Sequence, residues 1–468
     1  MLAALPLAAA QQPAASRVFR AGAATSNITP PLGSLIVGGW EPFPSLYVHD
    51  ELHTRCLVLD DGQTRMAIAV SDNVGIAREV YDEAKRAVHQ KTGLPVEHLL
   101  MSSTHTHSAA SARGSGAMVA NEPLDDYQRF VASRITDCVV MAVHNLEPAR
   151  IGWGLGHEPS QVFNRRWRMK PGMPLRNPFG GTDQVVMNPR AGDPNLLEPA
   201  GPTDPEIAFI SVRAASGRPI ALLANYSLHY VGGVGKGHIS ADYFGMFAER
   251  IAELLGTCGQ DPPFVGILSN GTSGDINNIN FREGNPPRRQ PYEKMRMVAN
   301  MVAAEVFRAY QTVEHRDWAP LGTAQTELPI GVRVPGPAEL AWAEAVVKKP
   351  KDAPRAHIRE EIYGHRVLAM KDNPPRMPLI LQALRIGEVG IAAIPSEVFV
   401  EIGLEIKKRS PFPRTFTISL ANGSYGYLPT VEQHKLGGYE TWLGTNRLEI
   451  EAAPKILAAL LELFNKLK

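Results

Sequence analysis

The sequence predicts an α/β fold: one large domain in which mixed β-sheets are flanked by helices. Three observations carry this expectation. Short apolar runs alternate along the chain with longer segments of helical apolar spacing, so strands and helices intermix throughout. Hydrophobic residues make up 44% of the 468 and charged residues 20%, which suits a chain with a sizeable core. No internal repeat and no clear linker interrupts residues 18–468, which are read as a single domain.

Residues 1–17 stand apart as a leader. Met1 to Ala10 is apolar like a secretory h-region, and small residues precede Gln11-Gln12 as at a cleavage site, although the basic n-region is missing. The expectation is a secreted or periplasmic protein. Two strands follow, 55–60 and 66–72, around a turn at Asp61-Gly62. Residues 77–92 place Val80, Ala84 and Val88 on one helical face. An apolar run, Leu99-Leu100-Met101, leads as a strand into His105, and 124–145 reads as a long helix. The segment 155–205, rich in Pro, Gly, Asn and Arg, reads as an ordered excursion at the mouth of a site.

Strand patterns return at 207–212, 219–229 and 264–268, with helices at 241–255, capped by Ser240, and at 291–312. Residues 337–371 are helical and carry the basic cluster Lys348, Lys349 and Lys351, a solvated face. A hairpin at 380–394, a helix at 398–408, a strand at 415–420 and a closing helix at 447–466 complete the chain.

A formal net charge of +1 argues against a nucleic-acid or membrane-surface binder. No apolar stretch beyond the leader is long enough to span a bilayer. Cys56, Cys138 and Cys258 form no Cys-x-x-Cys pair, so a thiolate metal site is not expected; Cys56 and Cys138 read as buried free thiols.

The chemistry concentrates in Ser102-Ser103-Thr104-His105-Thr106-His107-Ser108. A strand ending in His-x-His points both imidazoles to one side, a start for a Zn²⁺ site. His229 ends another apolar run and supplies a third nitrogen from a strand end, where α/β crevices form. Glu397, in Pro395-Ser396-Glu397, reads locally as part of a helix cap with Ser396 at the N-cap, or else as an anionic ligand. Tyr427 lies in a Gly- and Pro-rich loop, either packed there or offering its hydroxyl to a metal or an oxyanion. Asn270-Gly271-Thr272-Ser273-Gly274-Asp275 is a glycine-rich turn without the lysine of a phosphate loop, and no base near Ser273 supports it as a nucleophile.

Taken in order, these segments resemble the neutral (non-lysosomal) ceramidase family over about residues 20–445. The matching stretches run from Ala21 to Pro31 and from Ser103 to Ser108, and include Asn164-Arg165, Asn225-Tyr226-Ser227-Leu228-His229 with Ile239-Ser240-Ala241-Asp242-Tyr243, Gly274-Asp275, Pro395-Ser396-Glu397, and Asn422 through Tyr439-Glu440. The family hydrolyses the amide bond of ceramide with one zinc ion. The resemblance implies that His105, His229, Glu397 and Tyr427 are the zinc ligands. It makes His107 an active-site histidine beside the metal, and Arg165 and Tyr439 contacts of the scissile group.

Two departures stand out. The family's Gly-Asp-aliphatic-Ser-Pro-Asn becomes Gly274-Asp275-Ile276-Asn277-Asn278-Ile279, so Asn277 stands at the position of a serine the family needs for activity. His-Ser-Gly-Pro becomes His107-Ser108-Ala109-Ala110. The family's immunoglobulin-like C-terminal domain is not expected here. The reading the resemblance implies is therefore a secreted zinc-dependent hydrolase of an N-acyl, ceramide-like amide, with one Zn²⁺ per chain and a small-molecule or lipid substrate as its partner. Asn277 is expected to donate its amide where the family uses a hydroxyl. Two alternatives stay open. One is a zinc hydrolase of a glycosidic or ester bond, with Arg166, Trp167 and Arg168 facing a polar substrate. The other is a catalytically silent metal-containing binding protein.

Overall fold

The computed structural model describes residues 17–114, 118, 122–284 and 289–468; apart from Arg17, the expected leader lies outside the described residues. Twelve strands build two sheets. The larger takes β1 (Arg20–Asn27), β2 (His53–Asp60), β3 (Arg65–Ser71), β4 (Leu99–Ser103), β5 (Glu147–His157), β6 (Glu206–Ala214), β7 (Pro219–Tyr226) and β8 (Val265–Asn270). Their order across the sheet is β8-β7-β6-β5-β1-β2-β3-β4. The smaller takes β9 (Leu321–Gly331), β10 (Arg376–Ile386), β11 (Val389–Ile394) and β12 (Arg414–Ser419), paired in that order.

Most neighbours are antiparallel hairpins or meanders. Three pairs are parallel: β3 with β4, β7 with β8, and β11 with β12. Parallel neighbours require a crossover. Each crossover contains a helix: α1 (Arg78–Thr92) before β4, α3 (Asp242–Leu254) before β8, and α5 (Val400–Arg409) before β12. Helices α2 (Asp126–His144), α4 (Glu293–Tyr310) and α6 (Ala452–Lys466) complete the outer layers.

The layering follows from the apolar pattern. Leu57, Ile68, Leu100, Ile151, Ile210 and Leu223 from the larger sheet share one core with Leu384, Ile391 and Phe416 from the smaller, so the sheets pack face to face. The outer face of the larger sheet is covered twice. Val80 and Ala84 of α1 with Val131 and Ile135 of α2 lie over one half, and Phe244, Phe247, Val298 and Val302 of α3 and α4 over the other. The outer face of the smaller sheet takes Ile402 and Ile406 of α5 with Ile456, Leu460 and Phe464 of α6. The result is a helix–sheet–sheet–helix sandwich, in which sheets buried on both faces read as continuous apolar runs.

Several boundaries differ from expectation for local reasons. The strand before His105 stops at Ser103. Strand β7 stops at Tyr226, three residues short of His229. Helix α3 has Ala241 at its N-cap, although Ser240 Oγ still accepts the Asp242 N–H at 3.1 Å. Residues 337–371 form two helices, Pro337–Val347 and Glu360–Ala369, because Pro350 and Pro354 break the run. Glu397 is not in a helical first turn: it sits in a two-residue strand, Glu397–Val398, and helix α5 begins at Val400. The excursion at 155–205 forms a small three-stranded sheet from Arg166–Met169, Val185–Met187 and Leu196–Pro199. Cys56 and Cys138 are buried free thiols.

Candidate metal centre

The segments that follow the parallel pairs meet at one place. His105 lies two residues beyond β4, His229 three beyond β7, and Glu397 three beyond β11. This is the carboxyl end of parallel strands, where chain reversals leave a crevice. His105 leaves the strand in a left-handed conformation (φ 70°), so strand alternation is not what aims the His-x-His pair. The imidazoles still converge: His105 Nε2 and His107 Nε2 lie 3.0 Å apart. One ring nitrogen from each of His105, His107 and His229 falls within 4.8 Å of the others.

Backbone carbonyls set the rings. His105 Nδ1 is 2.5 Å from the Val74 carbonyl, and His229 Nδ1 is 3.0 Å from that of Ser273. A carbonyl only accepts, so both Nδ1 atoms carry hydrogens and both Nε2 atoms present lone pairs. Burial, followed by neighbouring charge from His105 and Arg165 among others, depresses the pKa of His107 and His229 well below the ordinary imidazole value. Neutral imidazoles are what a metal requires.

Glu397 adds the carboxylate. Its Oε2 lies 3.2 Å from His105 Nε2 and 3.9 Å from His229 Nε2. Burial alone would raise its pKa, but His105, the Tyr427 hydroxyl and Arg165 outweigh burial and lower it, so it is an anion. Its position is fixed by the parallel pairing of Glu397–Val398 with Tyr427–Leu428, in which Glu397 lies opposite Tyr427. The turn before Ile276 presses close from the other side. A Cβ on Gly274 would stand 2.6 Å from the Glu397 carbonyl oxygen.

Arg165 and Tyr439 complete the group. Arg165 Nη2 donates to the Tyr427 hydroxyl at 3.0 Å, and its Nε donates to Glu440 Oε1 at 2.9 Å. Arg166 Nη1 donates to the other oxygen of Glu440 at 2.6 Å. Glu440 therefore holds two buried guanidiniums. Tyr439 stands edge-on to Tyr427, with ring centroids 5.7 Å apart. His107 stacks on Tyr230 at 3.7 Å.

The donor chemistry fits a divalent ion. Among the described residues His229 Nε2 and Glu397 Oε2 are buried atoms with no hydrogen-bond partner, and polar atoms are rarely left so unless something else engages them. Imidazole nitrogens with one carboxylate are the ligands Zn²⁺ takes. His105, His229 and Glu397 would hold it. His107 Nε2 lies as close to the group as the ligand nitrogens do, which makes it a candidate base beside the ion. Tyr427 lies beside Glu397, and burial raises its pKa well above the phenol value, so it is present as a neutral hydroxyl.

Not every expected residue is brought here. Asn277 pairs with Phe163 across a two-stranded ladder and donates its Nδ2 to Asn188 Oδ1 at 2.6 Å, so its amide is already engaged within the loop. Ser273, in contrast, lies against the site: its Oγ donates to Asn270 Oδ1 at 2.7 Å and stands 3.5 Å from His229 Nδ1, which carries a hydrogen and offers no base to the hydroxyl. Arg166 and Trp167 are buried and not surface covering, with Arg166 anchored on Glu440, whereas Arg168 is half-buried beside Glu198. Asp275 is structural as well. It accepts from the Val400 N–H and from Asn164 Nδ2, and its carbonyl accepts the Arg165 N–H, so it ties Arg165 to the start of α5. Reading the sequence residue by residue missed Glu440 as the anchor of Arg165. The signal was the pair of adjacent arginines, which must find a carboxylate if buried.

The overall architecture has close precedents in solved structures. The chain superposes on the crystal structure of neutral ceramidase from Pseudomonas aeruginosa with a TM-score of 0.69 at 16% identity, covering 96% of this chain and 74% of that one. A ceramidase complexed with C2 gives a TM-score of 0.70 at 15% identity, covering 96% and 75%. This is the ceramidase fold. No family model matches the sequence. At this identity the likeness extends to the architecture, and the chemistry has to be argued from the side chains.

Proposed function

We propose that this chain is a metal-dependent hydrolase of N-acyl amide bonds, with one Zn²⁺ held by His105, His229 and Glu397. One observation carries the reading: three imidazoles and one carboxylate, delivered from three strand ends, converge, and among the described residues His229 Nε2 and Glu397 Oε2 are left without a hydrogen-bond partner. The ceramidase architecture supports amide hydrolysis as the reaction class. When bound, zinc supplies Lewis acidity, lowering the pKa of a water to about 7 and polarising a carbonyl. The protein's own residues do the rest. His107, neutral and half-buried, accepts a proton and returns it to the leaving nitrogen. Arg165 and Tyr439 donate to the oxygen on which negative charge develops. Glu440 keeps Arg165 in place without reaching the reacting atoms.

The glycosidic alternative is less supported, because Arg166 is spent on Glu440 inside the protein and only Arg168 of the three expected residues is half-exposed. The leader-like residues 1–17 support an exported protein; fractionation with N-terminal sequencing tests this, with protein that begins beyond the leader expected outside the cytoplasm, and protein found only in the cytoplasm with Met1 intact overturning it. For the reaction, purified protein is assayed against an N-acyl amide, an aryl ester and an aryl glycoside, with and without chelation. Chelator-sensitive cleavage of the amide is expected. Cleavage of the glycoside alone, or activity that survives full metal removal, overturns the proposal.

A further inference from the structure

A cavity of about 540 Å³ reaches the carboxylate side of the metal centre, with Glu397, Tyr427 and Tyr439 in its wall. The same cavity is lined by Arg113, Arg366 and Arg447, with Met118 and Met370 as apolar lining. Three guanidiniums against one carboxylate is an unusual lining for a site that receives a neutral lipid. Glu397 does not balance them, because it belongs to the histidine group. Arg113 Nε donates to Ser111 Oγ at 3.2 Å, and Arg366 Nη1 to Thr445 Oγ1 at 3.1 Å and the Tyr363 hydroxyl at 3.4 Å. Among the described residues these partners are neutral, so the charges of Arg113 and Arg366 are oriented without being cancelled. A smaller adjoining recess shares Arg113 and Arg447, but there Glu79 and Glu122 also line the wall, so its charges nearly balance.

The arrangement is costly without a ligand. Burial, and then the charges of Arg113 and Arg366, push the Arg447 guanidinium down to about 10. Burial likewise lowers Arg113, with Glu397 as the largest opposing influence. Like charges gathered around one cavity are stabilised by an anion placed between them, and guanidiniums bind carboxylate and phosphate with directional, charge-assisted hydrogen bonds.

We propose that the substrate carries an anionic group, carboxylate or phosphate, which Arg113, Arg366 and Arg447 receive while the scissile amide lies at the Glu397 end of the cavity. The proposal rests on the hydrolase reading and adds the substrate class to it. A neutral N-acyl lipid would leave Arg113 and Arg366 facing groups that do not answer their charge.

The test uses three probes with one acyl chain: N-dodecanoylglycine, N-dodecanoylethanolamine phosphate and uncharged N-dodecanoylethanolamine. Calorimetric binding to the chelated full-length protein gives a readout independent of turnover, and kcat/KM is measured on the zinc-loaded protein. At least one anionic probe is expected to bind about tenfold more tightly than the neutral one, and the stronger of the two identifies carboxylate or phosphate as the source. The preference should fall toward unity in Arg366→Leu and be partly restored in Arg366→Lys. Arg113→Gln, whose neighbours differ, is the second variant should Arg366→Leu fail to fold, and the same loss is expected. Equal binding of charged and neutral probes overturns the anion site and leaves the hydrolase reading intact. An anion preference without cleavage of any amide retains the site and overturns the hydrolase reading.

Discussion

Glu397 Oε2 is buried, anionic and within 3.2 Å of His105 Nε2, so its charge is the part of the centre most easily removed without changing shape. Glu397→Gln should lower zinc affinity by more than about tenfold and reduce hydrolysis in parallel, as read by competition with a chromogenic chelator. Gly274→Ala tests how that carboxylate is placed. The new Cβ would meet the Glu397 carbonyl at 2.6 Å, and because both partners are backbone the strand must shift. A destabilisation of about 1–3 kcal/mol is expected from such overpacking, with a loss of activity larger than the loss of folded protein in a urea titration. Glu440 is the opposite case, remote from the reacting atoms yet costly to alter. Glu440→Ala leaves the buried Arg165 and Arg166 without their anion and should cost about 3–5 kcal/mol in chemical denaturation. The histidines were legible in the sequence because they follow apolar runs. Glu397 was not legible locally, since Pro-Ser-Glu before a helix also describes a cap. What decides its role is the pairing with Tyr427, thirty residues onward, which no local pattern contains.

At the scale of elements, Lys85 links helix and sheets. It is buried on α1, and its Nζ donates to Asn422 Oδ1 at 2.8 Å, while Asn422 Nδ2 donates to Gln382 Oε1 on β10 at 3.0 Å. Burial lowers the Lys85 pKa to about 8 from 10.5. Between those values the unfolded chain binds more protons than the folded one, so stability rises with pH through that window. The difference in unfolding free energy between wild type and Lys85→Met should therefore shift in favour of wild type by on the order of 3 kcal/mol from pH 8 to 10.5; a flat difference would contradict it. Most helices and strands were legible from periodicity, with ends displaced by a few residues. Strand β9 escaped notice because its exposed edge gives it a mixed pattern, half-buried along most of its length. The short strand at Glu397–Val398 escaped because two residues carry no period.

The whole molecule is a sandwich whose two sheets share one core, and the site is assembled from both. His105 and His229 come from the larger sheet, and Glu397 and Tyr427 follow strands of the smaller. Metal binding therefore ties the sheets together, and it should stabilise the chain as a unit. Zinc at a thousandfold excess over its dissociation constant is expected to add about 4 kcal/mol to the unfolding free energy, raising Tm in calorimetry, with no such rise in His229→Ala. Truncating Ile391 to Ala between the sheets should cost about 2–5 kcal/mol. The fold class was legible because it depends on composition and alternation. The face-to-face packing was not, since an apolar run does not say which neighbour buries it.

The most direct measurement pairs two readings on one sample: bound metal by elemental analysis, and the initial rate of N-acyl amide hydrolysis, before and after chelation and again after zinc is restored. About one zinc per chain is expected, with hydrolysis that disappears with the ion and returns with it. A chain that arrives and remains metal-free under zinc, or that hydrolyses the amide equally well once stripped, would contradict a metal centre built on His105, His229 and Glu397.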